Sequence, residues 1–148
     1  MCSPIKSIDV FENLTVIFSG SHAYISQISP AGTIDLGGCG TPGKTYEADL
    51  RVVDVNGNPM PVGTTIAVTT SDGTMTGIST FTEANTNVTP AVGAATHPVF
   101  IKNDDVVTTG PPATCSDPTP SGFLTVTVTT PGGVNSPVTT TKTFTVNN

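Results

Sequence analysis

Apolar residues recur along the chain with a period of two, in short runs broken by Gly, Pro, Asn and Asp. Such alternation marks half-buried β-strands, whose successive side chains point to opposite faces. The pattern predicts strands over residues 14–18, 23–28, 33–36, 46–53, 64–70, 75–81, 99–102, 123–129 and 138–146. In residues 46–53, Tyr46, Ala48, Leu50 and Val52 share one face while Glu47, Asp49 and Arg51 share the other. One side therefore meets a core and the other meets water. Leu124, Val126 and Val128 alternate in the same way with Thr125, Thr127 and Thr129. The predicted core is Leu50, Val52, Ile66, Val68, Leu124, Val126, Val128, Phe144 and Val146. Helical periodicity is nowhere sustained.

Turn chemistry separates the runs. Asn56-Gly57-Asn58-Pro59, Ser71-Asp72-Gly73 and Pro131-Gly132-Gly133 supply residues that tolerate positive φ or fix it. Seven to nine short strands at this spacing predict two antiparallel sheets packed face to face, closed by a hairpin across residues 131–137. Residues 83–98 and 110–120 read as long connections. The expected organisation is one domain over residues 13–148, with residues 1–12 as a linker or N-terminal arm.

Composition agrees with this class and narrows the partners. The 148 residues include 28 Thr but no Trp, and only 11% are charged. Threonine and valine favour strands, and the low charge argues against intrinsic disorder. A formal charge of −6 removes the electrostatic basis for binding nucleic acid or anionic lipid. No apolar stretch approaches the roughly 20 residues of a membrane-spanning helix. Heavy use of Thr, Ser, Gly and Asn with few basic residues suggests an extracellular setting, where Cys39 and Cys115 would pair as a disulfide and Cys2 would be left over. Two buried free thiols are the alternative for Cys39 and Cys115.

The stretch Arg51-Val52-Val53-Asp54-Val55-Asn56-Gly57-Asn58-Pro59-Met60-Pro61-Val62-Gly63-Thr64-Thr65-Ile66-Ala67-Val68 resembles the signature of bacterial Ig-like domains of the invasin and intimin type (group 1). The ending over residues 124–130, Pro131-Gly132-Gly133 and residues 143–146 is similar to that family's closing hairpin. The resemblance implies an immunoglobulin-like antiparallel β-sandwich. It also implies a non-enzymatic module of a bacterial cell-surface or secreted protein, acting as stalk or tip in cell adhesion. Partners would be neighbouring Ig-like modules, copies of the chain itself, or a host or cell-surface protein or glycan. The cysteines and the long connection over residues 83–98 depart from the family pattern, so no ligand residues carry over. Two other functions compete: a self-assembling extracellular filament subunit, joined through an edge strand, the N-terminal arm or Cys2, and a carbohydrate-binding module. The second is disfavoured because sugar platforms need exposed aromatics, and the chain offers only Tyr24 and Tyr46 besides Phe.

Candidate chemistry is sparse. No G-x-S-x-G, H-E-x-x-H or C-x-x-C string occurs, and the chain reads as lacking a phosphate-binding loop and a dinucleotide glycine pattern. No catalytic residue and no cofactor is expected. His22 and His97 have no Cys or carboxylate at a metal-ligand spacing. Asp54-x-Asn56-x-Asn58 has the first half of a calcium loop, but Pro59 stands where Gly belongs and Thr65 where a bidentate Glu belongs. Asp104 and Asp105 are a second weak calcium candidate. Thr125, Thr127 and Thr129 face Thr139, Thr141, Thr143 and Thr145 in a hydroxyl–methyl array, as strand propensity alone would produce. Lys142 shares a face with Phe144 and Val146 and is expected to reach from a strand end to water.

Overall fold

In a computed structural model the described residues are 19–84, 95–110, 114–116, 121–132 and 137–147. The expected strand over residues 14–18 and the turn glycine Gly133 lie outside them.

Eleven strands alternate along the described chain: β1 (Ala23–Ser29), β2 (Ile34–Asp35), β3 (Thr45–Asp54), β4 (Thr65–Thr70), β5 (Thr74–Thr76), β6 (Thr80–Thr82), β7 (Thr96–Lys102), β8 (Val106–Thr108), β9 (Thr114–Ser116), β10 (Ser121–Thr129) and β11 (Thr139–Asn147). A 3-10 turn at Gly38–Gly40 precedes β3. One sheet has the order β1-β3-β7-β5 and the other β2-β11-β10-β4-β6, with β8 and β9 as a separate hairpin. All pairings are antiparallel except that of β2 with β11. The fold is an all-β, immunoglobulin-like sandwich: hairpin neighbours β10 and β11 share a sheet with β4, and the first strand flanks β3 in the other sheet.

The core is where the two alternating faces meet. Ala48, Leu50, Val52, Val99 and Ile101 from one sheet pack against Ile66, Val68, Leu124, Val126, Val128 and Val146 from the other. Each fully buried aliphatic side chain contributes about 1.5–3 kcal/mol by leaving water. Leu50, Leu124, Val126 and Val128 are wholly buried, whereas Phe144 and Tyr46 are only partly buried against the core.

The periodicity errs in three places. Residues 75–81 are two strands in different sheets, because Gly77 takes a φ of +78° and turns the chain across the flank. The connection over residues 83–98 is shorter than expected, since β7 begins at Thr96. The Pro-rich stretch after Gly110 supplies β9, which pairs with β8. Short strands of three residues give too few alternations to be read from sequence.

Candidate functional site

The described chain enters and leaves the sandwich at opposite poles. At the entry pole Gly20 N–H donates to Asp54 Oδ2 at 2.9 Å, at the end of β3. At the exit pole the Leu36 N–H donates to the Asn147 carbonyl at 2.8 Å, and β3 begins there at Thr45, opposite Lys102. Ten residues of β3 separate the poles, about 30 Å at the usual strand rise.

Asp54 organises the entry pole. Its Oδ1 accepts the N–H groups of Asn56 and Asn58, both at 2.8 Å, and its Oδ2 accepts from Gly20 and from Asn58 Nδ2 at 3.2 Å. The backbone closes around it, with Gly57 N–H on the Asp54 carbonyl and Asp54 N–H on the Asn58 carbonyl. Gly57 has a φ of +81°, which a side chain would strain. Burial pushes the Asp54 pKa up, but the hydrogen bonds from Gly20, Asn58 and Asn56 outweigh it and hold the carboxyl below its ordinary 3.8. The Asn56–Pro59 stretch thus sits where an Asx-type turn needs it, and these four N–H donors occupy the oxygens of the first calcium candidate. Asp104 accepts from Thr74 Oγ1 at 3.3 Å, while Asp105 is buried with its N–H on Asn103 Oδ1. Among the described residues no group of three or more His, Cys, Asp or Glu is placed to hold a metal ion.

Asn103 ties the exit pole. It is fully buried, its Nδ2 donating to the Leu36 and Gly38 carbonyls at 3.0 and 2.8 Å. Cys39 lies on the turn so held and is disulfide-bonded. Cys115 is in β9, its side chain outside the described residues, as is Cys2.

One reading of the sequence is corrected at this pole. Gly38-Cys39-Gly40-Thr41-Pro42-Gly43-Lys44-Thr45 does carry the G-x-x-x-x-G-K-T spacing of a phosphate-binding loop. That loop works by leading a strand into a helix N-terminus. Here it leads a 3-10 turn into β3, and Lys44 Nζ lies 4.8 Å from the centre of the Tyr46 ring. The string therefore lacks the backbone setting that cradles phosphate.

The two flanks of the sandwich differ. On the β6 side, His97 Nε2 lies 3.0 Å from Glu83 Oε1, both side chains 12% exposed, and the His97 ring packs on Phe81 at 4.9 Å. Glu83 is itself pinned, with Gly63 N–H on its carbonyl and its N–H on the Thr64 carbonyl. This carboxylate partner of His97 was invisible in the sequence, being fourteen positions away and brought close only by sheet stacking. On the β1 side a groove of about 550 Å³ opens between β1 and β11, lined by Tyr24, Ile25, Gln27, Thr33, Lys142 and Phe144 among others. Here β2 pairs only with Val146 and Asn147, so among the described residues Thr139–Thr145 form a free strand edge. Gln27 Oε1 is buried there without a hydrogen-bond partner. Lys142, expected to reach water, is exposed at the mouth of this groove.

The threonines also find a definite place. On the outer face of the second sheet Thr139, Thr129, Thr65 and Thr82 stand in one cross-strand row, and Thr143, Thr125 and Thr69 in another. Compared with protein-family models, curated proteins and solved structures, the chain matches none.

Proposed function

We propose that the chain is a non-enzymatic structural module of a bacterial cell-surface or secreted protein, of the invasin and intimin type, serving as stalk or tip in adhesion. The observation that carries this reading is the placement of the described ends at opposite poles, the layout a module needs to sit in a linear series. Its terminal strands suit the role. Both β1 and β11 run from the entry pole toward the exit pole, so tension on the two ends acts along the strands and loads many hydrogen bonds together. Pairing of Cys39 with Cys115 would fasten the β8–β9 hairpin to the exit pole, as an extracellular module allows. Recognition of a host or cell-surface ligand then falls to the loops at the poles.

A tandem of three copies tests this by solution scattering. Each added copy should lengthen the particle by roughly 30–40 Å, as a strand of this length requires. A compact cluster of constant length overturns the reading. The edge of β11 over Thr139–Thr145, free among the described residues, favours one second reading, a self-assembling subunit. A sizing profile that shifts with concentration would support it, and a constant monomer would discard it.

A further inference from the structure

We propose that the outer face of the second sheet, built on β11, β10, β4 and β6, is a binding surface for ice. The inference is separate from the stalk reading and stands or falls without it.

Strand propensity accounts for threonines on β10 and β11 taken singly. The fold extends them into a grid that propensity does not explain. The rows led by Thr139 and Thr143 enclose a third, in which Thr141, Thr127, Ala67 and Thr80 stand side by side. Thr145 beside Phe123 ends the face. Eleven of these thirteen outward positions are threonine, eight of them exposed and three half-exposed, and none of the thirteen carries a charge. The outer face of the first sheet is the control within the same molecule. There Glu47, Asp49 and Arg51 of β3 and Lys102 of β7 stand outward. Solvent exposure and strand propensity act on both faces alike, so they do not produce threonine on one face alone.

The grid is also regular. β10 pairs with β11 over nine consecutive positions and with β4 over six, without a bulge, whereas β1 slips register against β3 between Gln27 and Ser29. At the usual sheet spacings its points recur about every 4.8 Å across the strands and about every 6.7 Å along them. β-Branching leaves each threonine few χ1 choices, so hydroxyl and methyl keep fixed places at every point.

Such a surface selects its partner by chemistry. A lattice of fixed points gains most from a partner that is itself a lattice. Having no charge, the face offers an ionic surface nothing to pair with. Protein interfaces draw on aromatic, Met and Arg side chains, and threonine is under-represented among their hot spots. Sugar platforms need aromatic rings, and Phe123 is the one ring among these positions. Ice fits what is left. Its surface presents neutral donors and acceptors in a repeat, and each threonine hydroxyl can donate one hydrogen bond and accept two. The methyl groups between them would fill openings in the lattice. An ammonium or carboxylate there would lose hydration against a solid that cannot reorganise around it.

Ice growth tests the assignment. A single ice crystal held in a solution of the 148-residue chain should grow with flat facets and show a gap between its melting and freezing points. Thr141→Lys and Thr80→Lys each place an ammonium at an exposed end of the middle row. Each should narrow that gap about fivefold at equal concentration, because a desolvated charge opposes the contact. Glu47→Gln shifts the net charge equally on the opposite face and should leave the gap unchanged. Circular dichroism matching the parent verifies that each variant folds. Rounded crystals with no gap beyond that of serum albumin at the same mass concentration would overturn the proposal, as would retention on crystalline cellulose in place of ice. A gap that both lysine variants leave intact would overturn the assignment to this face.

Discussion

The two flanks of the sandwich pose the same problem and solve it differently. Each must cover the seam where two sheets end. On the β6 flank the chain crosses the seam through Gly77, and Phe81, His97 and Glu83 then close it with a ring contact and a 3.0 Å approach of the Glu83 carboxyl to the His97 ring. On the β1 flank the crossing over residues 30–33 covers the exit end, and among the described residues no strand pairs with Thr139–Thr145 of β11 beside the groove at Phe144. A seam sealed by polar groups needs each of them paired, since an unpartnered buried group costs free energy. A seam left open needs a partner strand or tolerates water. The difference locates stability on one side and capacity for interaction on the other.

Substitutions can break this contrast, beginning with the core both flanks share. Val126→Asp should leave no cooperative thermal transition, because an unpaired charge between the sheets costs several kcal/mol. A folded variant would show the strand facing to be reversed. Next comes the entry pole, where Asp54→Ala removes the acceptor of three backbone N–H groups and should cost about 3 kcal/mol in denaturant unfolding. The pH dependence follows from the same contacts. Because the folded carboxyl titrates below its ordinary 3.8, its contribution is fully present above that value and is lost as pH falls through the folded pKa. The melting-temperature gap between the parent and Asp54→Asn should therefore be constant near neutral pH and shrink below about pH 4. A gap that widens in acid would contradict the sign.

Smaller effects separate the flanks directly. Phe81→Ala should destabilise by about 2 kcal/mol, and Phe144→Ala by about 1, both below the range for wholly buried phenylalanines because each ring is only partly covered. Equal losses would mean that the open flank is as well sealed as the closed one. Least of all, Glu83→Gln should cost about 1 kcal/mol by weakening the pair with His97. Lys142→Gln at the groove mouth should stay within about 0.5 kcal/mol. Urea midpoints for the two variants provide the check.

How much of this could be read in advance follows from the length of each pattern. The long strands β3 and β10 announced their faces through Leu50, Val52, Leu124, Val126 and Val128, because many alternations in register leave little freedom. The turn at Asn56–Pro59 was equally plain from its Asn-Gly pair, and Asp54 follows as the side chain that binds its N–H groups. What stayed hidden depends on contacts between distant segments. The strands β5, β6, β8 and β9 have three residues each, and period two has no power over three positions. The approach of Glu83 to His97 and the place of β11 at the side of its sheet among the described residues are properties of sheet stacking and sheet order, which no local pattern encodes. The string from Gly38 to Thr45 shows the converse. Its spacing is that of a phosphate loop, yet the following β3 denies it a helix.

The most direct test of the account is the mechanical behaviour of the domain when pulled through its two ends. In a tandem array held in a force spectrometer, each module should give one discrete rupture. Leu36→Pro, which removes the N–H bonded to the Asn147 carbonyl, should lower that rupture force. Gradual extension without a rupture, or a force that Leu36→Pro leaves unchanged, would contradict a module built to hold its shape between opposite poles.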